Sequence, residues 1–306
     1  MARETADIGG MFMTEISVRP LSGTIGAEIL GVDLSKPLPS STVDIVRSAL
    51  LDYKVIFFPQ QPDMAPEQHV ALAGHFGPLE TDYPSFAKRL EGFPEIITFD
   101  GGEAGGRASV WHTDMTLSAT PSLAGIIYMK EVPDRGGDTM WSDGEAAFAA
   151  LSPALQQFLE TKDAVHDIFT KEYSERTGAF QPKDVDFTKV PRATHPVVRV
   201  HPETRRKALF VNPLFTSHIV GLSSSESATI LKFLFDHMLK PEFIVRRHWT
   251  RGDVGFWDNR CTMHSAVDDY GVGRRLAHRV CVKGDVPFGP RSPDERVSRP
   301  GVLEVA

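Results

Sequence analysis

The sequence predicts a β-rich α+β domain, and three observations carry that prediction. Short runs of β-branched and aromatic residues recur along the whole chain. Helical periodicities are fewer and lie in groups between those runs. No Gly/Ser linker, low-complexity block or internal repeat divides the 306 residues, a length that suits one large domain. Residues 14–290 therefore read as one domain. Residues 1–13 read as a flexible tail, and residues 291–306 as a second tail rich in Pro, Arg and Ser.

The elements follow in chain order. Ser41 is expected to cap a helix running to about Tyr53, with Val43, Val46 and Leu50 on one face. Val55-Ile56-Phe57-Phe58 then reads as a strand. Pro66 suits the first turn of a second helix, which runs to about Phe76 and gathers Leu72, Ala73 and Phe76. Strands are expected at Glu95–Phe99 and Ala124–Met129. Ser152-Pro153 opens a third helix, with Leu155 and Leu159 on one side. Val197–Val200 and Ala208–Val211 read as a hairpin turned at His201-Pro202-Glu203-Thr204. Ser223 and Glu226 have capping-box spacing before Ile230, Leu231, Phe233, Leu234 and Met238. Strands at 243–249 and 254–257 flank Thr250-Arg251-Gly252-Asp253, which reads as a second hairpin turn. Val280-Cys281-Val282 is the last strand-like run. Residues 170–194 are polar and lack apolar periodicity, and a loop of that length is either functional or disordered.

Composition narrows the function. The chain is 41% hydrophobic and 24% charged, with a net charge of −7, an ordinary globular balance. A nucleic-acid binder would carry a basic stripe, whereas Arg246-Arg247 and Arg205-Arg206-Lys207 are short and read as solvated faces. No run is long and apolar enough to span a bilayer. The start, Met-Ala-Arg-Glu-Thr-Ala-Asp, is too acidic for a signal peptide. Cys261 and Cys281 suggest neither a disulfide framework nor a zinc site and read as buried reduced thiols. A cytoplasmic protein acting on a small molecule is expected, without nucleic-acid or membrane partners. A homo-oligomer remains open.

The run Val110-Trp111-His112-Thr113-Asp114-Met115-Thr116 carries the most chemistry. A His and an Asp one residue apart share a face of an extended strand. One imidazole and one carboxylate can begin a metal site, and His264 is the candidate for a second imidazole. Two histidines and a carboxylate form a facial triad that leaves open positions on iron(II), as in non-haem oxygenases. Taken singly, each residue has a plainer reading. His112 and Asp114 could be a hydrogen-bonded pair, and His264 a satisfied core histidine. The run Gly136-Gly137-Asp138-Thr139 and the arginines of Arg274-Arg275-Leu276-Ala277-His278-Arg279 add a hydroxyl and guanidinium groups suited to an anion.

Together these segments resemble the TauD/TfdA family of iron(II)- and 2-oxoglutarate-dependent dioxygenases. The resemblance rests on Ile25–Ile29 with Gly31–Leu34, Trp111-His112-Thr113-Asp114, Gly136–Trp141, His195–Arg199, Leu209–Asn212, Trp257-Asp258-Asn259-Arg260 and His278-Arg279, in family order. It implies a double-stranded β-helix, or jelly roll, flanked by helices. It implies that His112, Asp114 and His264 bind Fe(II), and that Thr139 and Arg275 hold the distal carboxylate of 2-oxoglutarate. It also implies O₂ as the other co-substrate, Arg279 facing the primary substrate, and residues 170–194 as a lid. Oxidative decarboxylation to succinate and CO₂ would then be coupled to hydroxylation of a C–H bond.

The implied substrate is a small anion: a sulfonate, sulfate ester or carboxylate. Against the taurine enzyme's own pocket, the substrate histidine falls near Asp82 and Tyr83, and the substrate asparagine at Ala108. One pocket phenylalanine falls near Glu172 or Tyr173, while the other matches Phe215. The loss of polar partners argues for a larger or differently substituted anion, with Met115 and Phe215 lining its apolar part. Trp111, Trp141, Trp257, Asn259, His166 and His195 read as structural, and His278 is given no catalytic role. Two other classes stay open: a zinc-site protein, which would not explain Thr139 and Arg275, and a non-catalytic jelly-roll binding module.

Overall fold

A computed structural model describes residues 15–82, 88–101, 109–168, 170, 192–271 and 273–290. In chain order the elements are β1 (Ser17–Pro20), β2 (Ala27–Leu30), α1 (Ser40–Tyr53), β3 (Val55–Phe58), α2 (Pro66–Gly74), β4 (Arg89–Leu90) and β5 (Phe93–Asp100). Next come β6 (Ala124–Glu131), β7 (Thr139–Asp143), α3 (Gly144–Ala149), α4 (Pro153–Leu159), β8 (Asp163–His166), β9 (Ala193–Pro196), β10 (Val198–Val200) and β11 (Lys207–Leu209). The last are β12 (Thr216–Ile219), α5 (Ser224–Met238), β13 (Ile244–Arg247), β14 (Val254–Asp258), β15 (Thr262–Ala266) and β16 (Leu276–Val282).

The main sheet has eight strands in the order β1-β2-β3-β14-β6-β16-β5-β4. Its pairings are antiparallel except β2 with β3. A second sheet, β13-β7-β15, shares a core with its inner face. Side-chain alternation explains both layers. Ile56, Phe58, Ile126, Tyr128, Phe256 and Val280 point to one face, where α1 and α2 pack with Val46, Leu50, Leu72 and Ala73. Val55, Phe57, Ile127, Met129, Trp257 and Ala277 point to the other, against Trp141, Val245 and Trp249 of the second layer. Covering both faces is why these strands read as continuous apolar runs. Smaller sheets β12-β8-β9 and β10-β11 adjoin a third core built by α3, α4 and α5.

The 201–204 hairpin forms as expected, pairing Val198 with Leu209. The capping box of α5 also forms, with Ser223 and Glu226 satisfying each other's backbone N–H groups. Leu231, Leu234 and Met238 are buried on that helix, whereas Phe233 is 48% exposed. Three expectations change. The first helix is capped at Pro39, so Ser41 lies inside its first turn and makes no cap. The 250–253 turn does not join a hairpin: β13 pairs with β7, and β14 with β3 and β6, so the chain crosses between sheets there. Asp253 holds this crossing by accepting from Arg247, the Thr250 N–H and the Gln60 N–H. Arg247 is therefore no solvated charge, since it also donates to Glu28 at 2.6 Å. Helix α3 was not expected from the sequence, and the Asp143 carboxylate caps it.

Tyr83 and Ala108, most of the 170–194 segment with Glu172 and Tyr173, and both tails lie outside the described residues.

Candidate active site

Backbone pairing brings the two histidines together. His112 and His264 exchange N–H···O bonds of 2.9 and 2.7 Å, an isolated antiparallel bridge at the edge of β15. His112 and Asp114 do not share a regular strand rung, because the chain leaves extended geometry after Thr113 and turns over Asp114–Leu117. Met115 takes φ +57° in that turn. The turn itself swings Asp114 toward the imidazoles. His112 Nε2 lies 3.8 Å from Asp114 Oδ1, and His264 Nε2 lies 3.9 Å from Oδ2.

The protonation states suit a metal. His112 Nδ1 donates to the Val110 carbonyl at 2.7 Å, which leaves the Nε2 lone pair facing Asp114. Burial, reinforced by the neighbouring His112, keeps His264 well below the usual imidazole pKa and so neutral. Burial alone would raise the pKa of Asp114, but the adjacent Arg279 guanidinium, with the Asn259 amide, favours the carboxylate and the group lies at about 2. Two neutral imidazoles and one carboxylate are the forms that ligate a divalent ion, and their donor atoms all lie within 4.8 Å of one another.

A cavity of about 590 Å³, counted to its open mouth, opens beside this triad. His264, Trp141, Trp257, Thr139, Arg275 and Arg279 are among the residues lining it. Strand β16 supplies Arg279, and Arg275 immediately precedes it, with residues 277, 279 and 281 alternating onto its inner face. Arg275 Nε donates to the Gly137 carbonyl at 2.8 Å and Nη2 to Thr139 Oγ1 at 3.3 Å. Among the described residues no carboxylate lies within ion-pair distance of this guanidinium, although only 8% of the residue is exposed. Burial pulls its pKa down from the ordinary arginine value. Arg279 Nη1 donates to Asp114 Oδ1 at 2.9 Å, and its guanidinium stacks over Phe99.

The expected substrate residues divide. The Phe215 ring stands edge-on to His112, with centroids 6.5 Å apart. Met115 packs beside Ile97 and Cys281, near Phe99. Asp82 does not reach the cavity: its side chain is 87% exposed and faces Lys283.

Asn259, read as a turn amide, has a closer part. Its amide donates to Asp114 Oδ2 at 3.3 Å, and its carbonyl accepts from the Trp257 indole at 3.0 Å. The only sequence signal was its place in Trp257-Asp258-Asn259-Arg260. A second cluster, His201, Asp258 and Cys261, has metal-like spacing. It is a closed polar network instead. His201 Nδ1 accepts from the Glu203 and Thr204 N–H groups, so Nε2 carries the proton donated to Asp258 at 3.0 Å. Arg260 also grips Asp258, and burial pushes the Cys261 thiol well up.

A layered β-fold that gathers two imidazoles, a carboxylate and a buried arginine around one cavity matches the non-haem oxygenase class of site. The family model described as "Taurine catabolism dioxygenase TauD, TfdA family" matches residues 17–281. An alkylsulfatase of Acinetobacter baylyi is 37% identical over 90% of this chain and 87% of its own length. An α-ketoglutarate-dependent sulfate ester dioxygenase of Pseudomonas putida is 36% identical, over 94% of this chain and 96% of its own. The crystal structure of a taurine dioxygenase from Burkholderia xenovorans superposes with a TM-score of 0.77 at 38% identity, covering 90% of this chain and 91% of that one. The chain belongs to the TauD/TfdA family and is a 2-oxoglutarate-dependent dioxygenase. A binding module or zinc-site protein is not favoured. Among the described residues, no helix is long and apolar enough to cross a membrane.

Proposed function

We propose that the chain uses iron(II) to oxidise the carbon next to oxygen in organic sulfate esters, releasing sulfate. The observation that carries the co-substrate reading is Arg275. A buried guanidinium with no carboxylate partner among the described residues is costly unless an anion joins it. It shares a cavity with the His112/Asp114/His264 triad. In this reading the triad holds iron, which supplies the activation of O₂. Arg275 and Thr139 receive the distal carboxylate of 2-oxoglutarate, and the apolar side chains of Trp141, Trp257 and Ile127 line the cavity around it.

The primary substrate lies on the side of Arg279. Its guanidinium offers a cation beside Asp114, with the apolar Phe99 ring against it on the cavity wall and Ile97, Met115 and Cys281 packed next to that ring. A cation flanked by apolar side chains suits an anionic head on a hydrocarbon chain better than a short aminosulfonate. The sulfate-ester names carried by two relatives support the same class. In balance, R–CH₂–OSO₃⁻, O₂ and 2-oxoglutarate give R–CHO, hydrogen sulfate, succinate and CO₂. The hydroxylated ester collapses by breaking its C–O bond to sulfate. The family match and the shared cores support reading residues 14–290 as one dioxygenase domain of jelly-roll form.

A panel of alkyl sulfates of graded length, sulfonates including taurine, aryloxyalkanoates and amino acids tests the substrate, scored by substrate-dependent succinate release. Alkyl sulfates should lead and release sulfate in equal amount. Taurine as the best substrate by a wide margin would overturn the sulfate-ester reading. Arg275→Lys tests the co-substrate role, because the lysine point charge cannot reproduce the guanidinium fork. The half-saturation for 2-oxoglutarate should rise about ten- to a hundredfold, the worth of one charge-assisted hydrogen bond at roughly 1.5–3 kcal/mol.

A further inference from the structure

Behind the cavity wall, Trp249 has an arrangement that its packing alone does not require. The residue follows β13, is 3% exposed, and stands edge-on to Phe57 and Trp141 with centroids 6.0 and 5.9 Å away. It is not one of the cavity-lining residues. Its indole Nε1 nevertheless donates to Thr139 Oγ1 at 2.9 Å. Gly255 makes this approach feasible, since a Cβ there would fall 2.7 Å from the Trp249 ring.

The chemistry of the three partners is asymmetric. An indole N–H can only donate, and so can a guanidinium, whereas a hydroxyl has one proton and two lone pairs. Trp249 and Arg275 both direct N–H groups at Thr139 Oγ1, at 2.9 and 3.3 Å. With both lone pairs engaged, the hydroxyl proton must point elsewhere, and Thr139 lies on the cavity wall. No described protein group accepts that proton. We propose that Trp249 is a positioning residue for 2-oxoglutarate: its indole N–H fixes the Thr139 hydroxyl as a donor into the cavity. The inference rests on the reading that Thr139 and Arg275 receive the distal carboxylate. A carboxylate only accepts, so a hydroxyl locked as donor matches it and discriminates against ligands that would need an acceptor there. Without the indole, the hydroxyl can rotate and give its proton to water.

A double-mutant cycle tests this, read as the dissociation constant of 2-oxoglutarate from the anaerobic iron(II) protein by titration calorimetry. Trp249→Phe keeps an aromatic ring and removes the N–H. In the wild-type background it should weaken binding about two- to tenfold, the range expected for one neutral hydrogen bond. In a Thr139→Val background, where there is no hydroxyl to orient, it should change nothing further. An equal loss in both backgrounds would mean that Trp249 acts by packing alone and would overturn the proposal. If Thr139→Val weakens binding but Trp249→Phe does not, the proposal fails while the co-substrate reading stands. If Thr139→Val has no effect, the co-substrate role of Thr139 fails first. A second measurement needs no change at Trp249. In zinc-loaded protein with nitrogen-labelled tryptophan, the indole proton whose hydrogen exchange accelerates in Thr139→Val is that of Trp249. Adding 2-oxoglutarate should slow its exchange in the wild type, and an unchanged rate would overturn the proposal.

Discussion

At the scale of single residues, the site depends on side chains that hold other side chains. Asn259 is the clearest case, because one amide serves both the Trp257 indole and the Asp114 carboxylate. Asn259→Ala should leave the buried Trp257 N–H without its partner, costing about 1–3 kcal/mol in denaturant unfolding. Partners of metal ligands are worth about ten- to a hundredfold in metal affinity, so iron retention after dialysis should fall by that factor. Asp114→Ala should lose nearly all of it. Unchanged iron affinity in Asn259→Ala would reduce the amide to a structural role. The residues proposed to contact ligands were legible in the sequence: His112, Asp114, His264, Thr139, Arg275 and Arg279 all lie at or beside the cavity. Asn259 and Trp249 were not, because their roles exist only through contacts 145 and 110 residues apart in the chain. Asp82 was misplaced for the same reason. Alignment assigned it a pocket position, but the fold turns its side chain to solvent.

At the scale of elements, burial on both faces made the strands easy to see and their pairing hard to see. The runs at 55–58 and 124–129 announce themselves by apolar content, yet nothing in them says which sheet they join. The 250–253 turn shows the consequence. Two strands close in sequence, separated by a Gly-containing turn, satisfy every local hairpin rule, but each finds a better partner elsewhere. Where an element touches the site, packing and function should fail together. Gly125 of β6 faces Trp257 of β14, and a Cβ on it would sit 2.3 Å from the indole. The same indole lies 4.9 Å from the His264 ring, centroid to centroid. Gly125→Ala should therefore cost about 1–3 kcal/mol by overpacking and also weaken iron binding, read by thermal unfolding and metal titration. Helix α5 offers the contrast, since it packs in the core of α3 and α4 and lines no part of the cavity. Ser223→Ala should cost about 1 kcal/mol through its lost cap, lowering the urea midpoint at constant slope while kcat and KM stay unchanged.

Over the whole molecule, acid sensitivity should come from histidines buried in the neutral form. His69 on α2 is the cleanest example, because it lies far from the His112, Asp114 and His264 cluster in sequence and packs between α2 and the main sheet. Its Nε2 bonds the Ile126 carbonyl at 3.1 Å, and its ring stands edge-on to Tyr128. Burial drives its pKa down to about 3, with His278 and Lys130 as further positive neighbours and only the Ile126 carbonyl opposing. Burial likewise takes His195 to about 4 and lowers His166. In the unfolded chain each histidine titrates near about 6.5. Below that pH the unfolded state binds more protons, so the contribution of each histidine is complete above about 6.5 and is lost as pH falls toward its folded value. Each such group adds a slope approaching about 1.4 kcal/mol per pH unit. Between about pH 6 and 5, before most carboxylates titrate, the histidines should dominate that slope. His69→Gln retains an amide N–H for the Ile126 carbonyl and removes the titration. Its stability at pH 7 should be lower through imperfect packing, but its fall with acid should be shallower by about one proton. Urea unfolding of both proteins across that window measures the difference. Parallel curves would mean that His69 is protonated as easily folded as unfolded, which its enclosure between α2 and β6 should prevent.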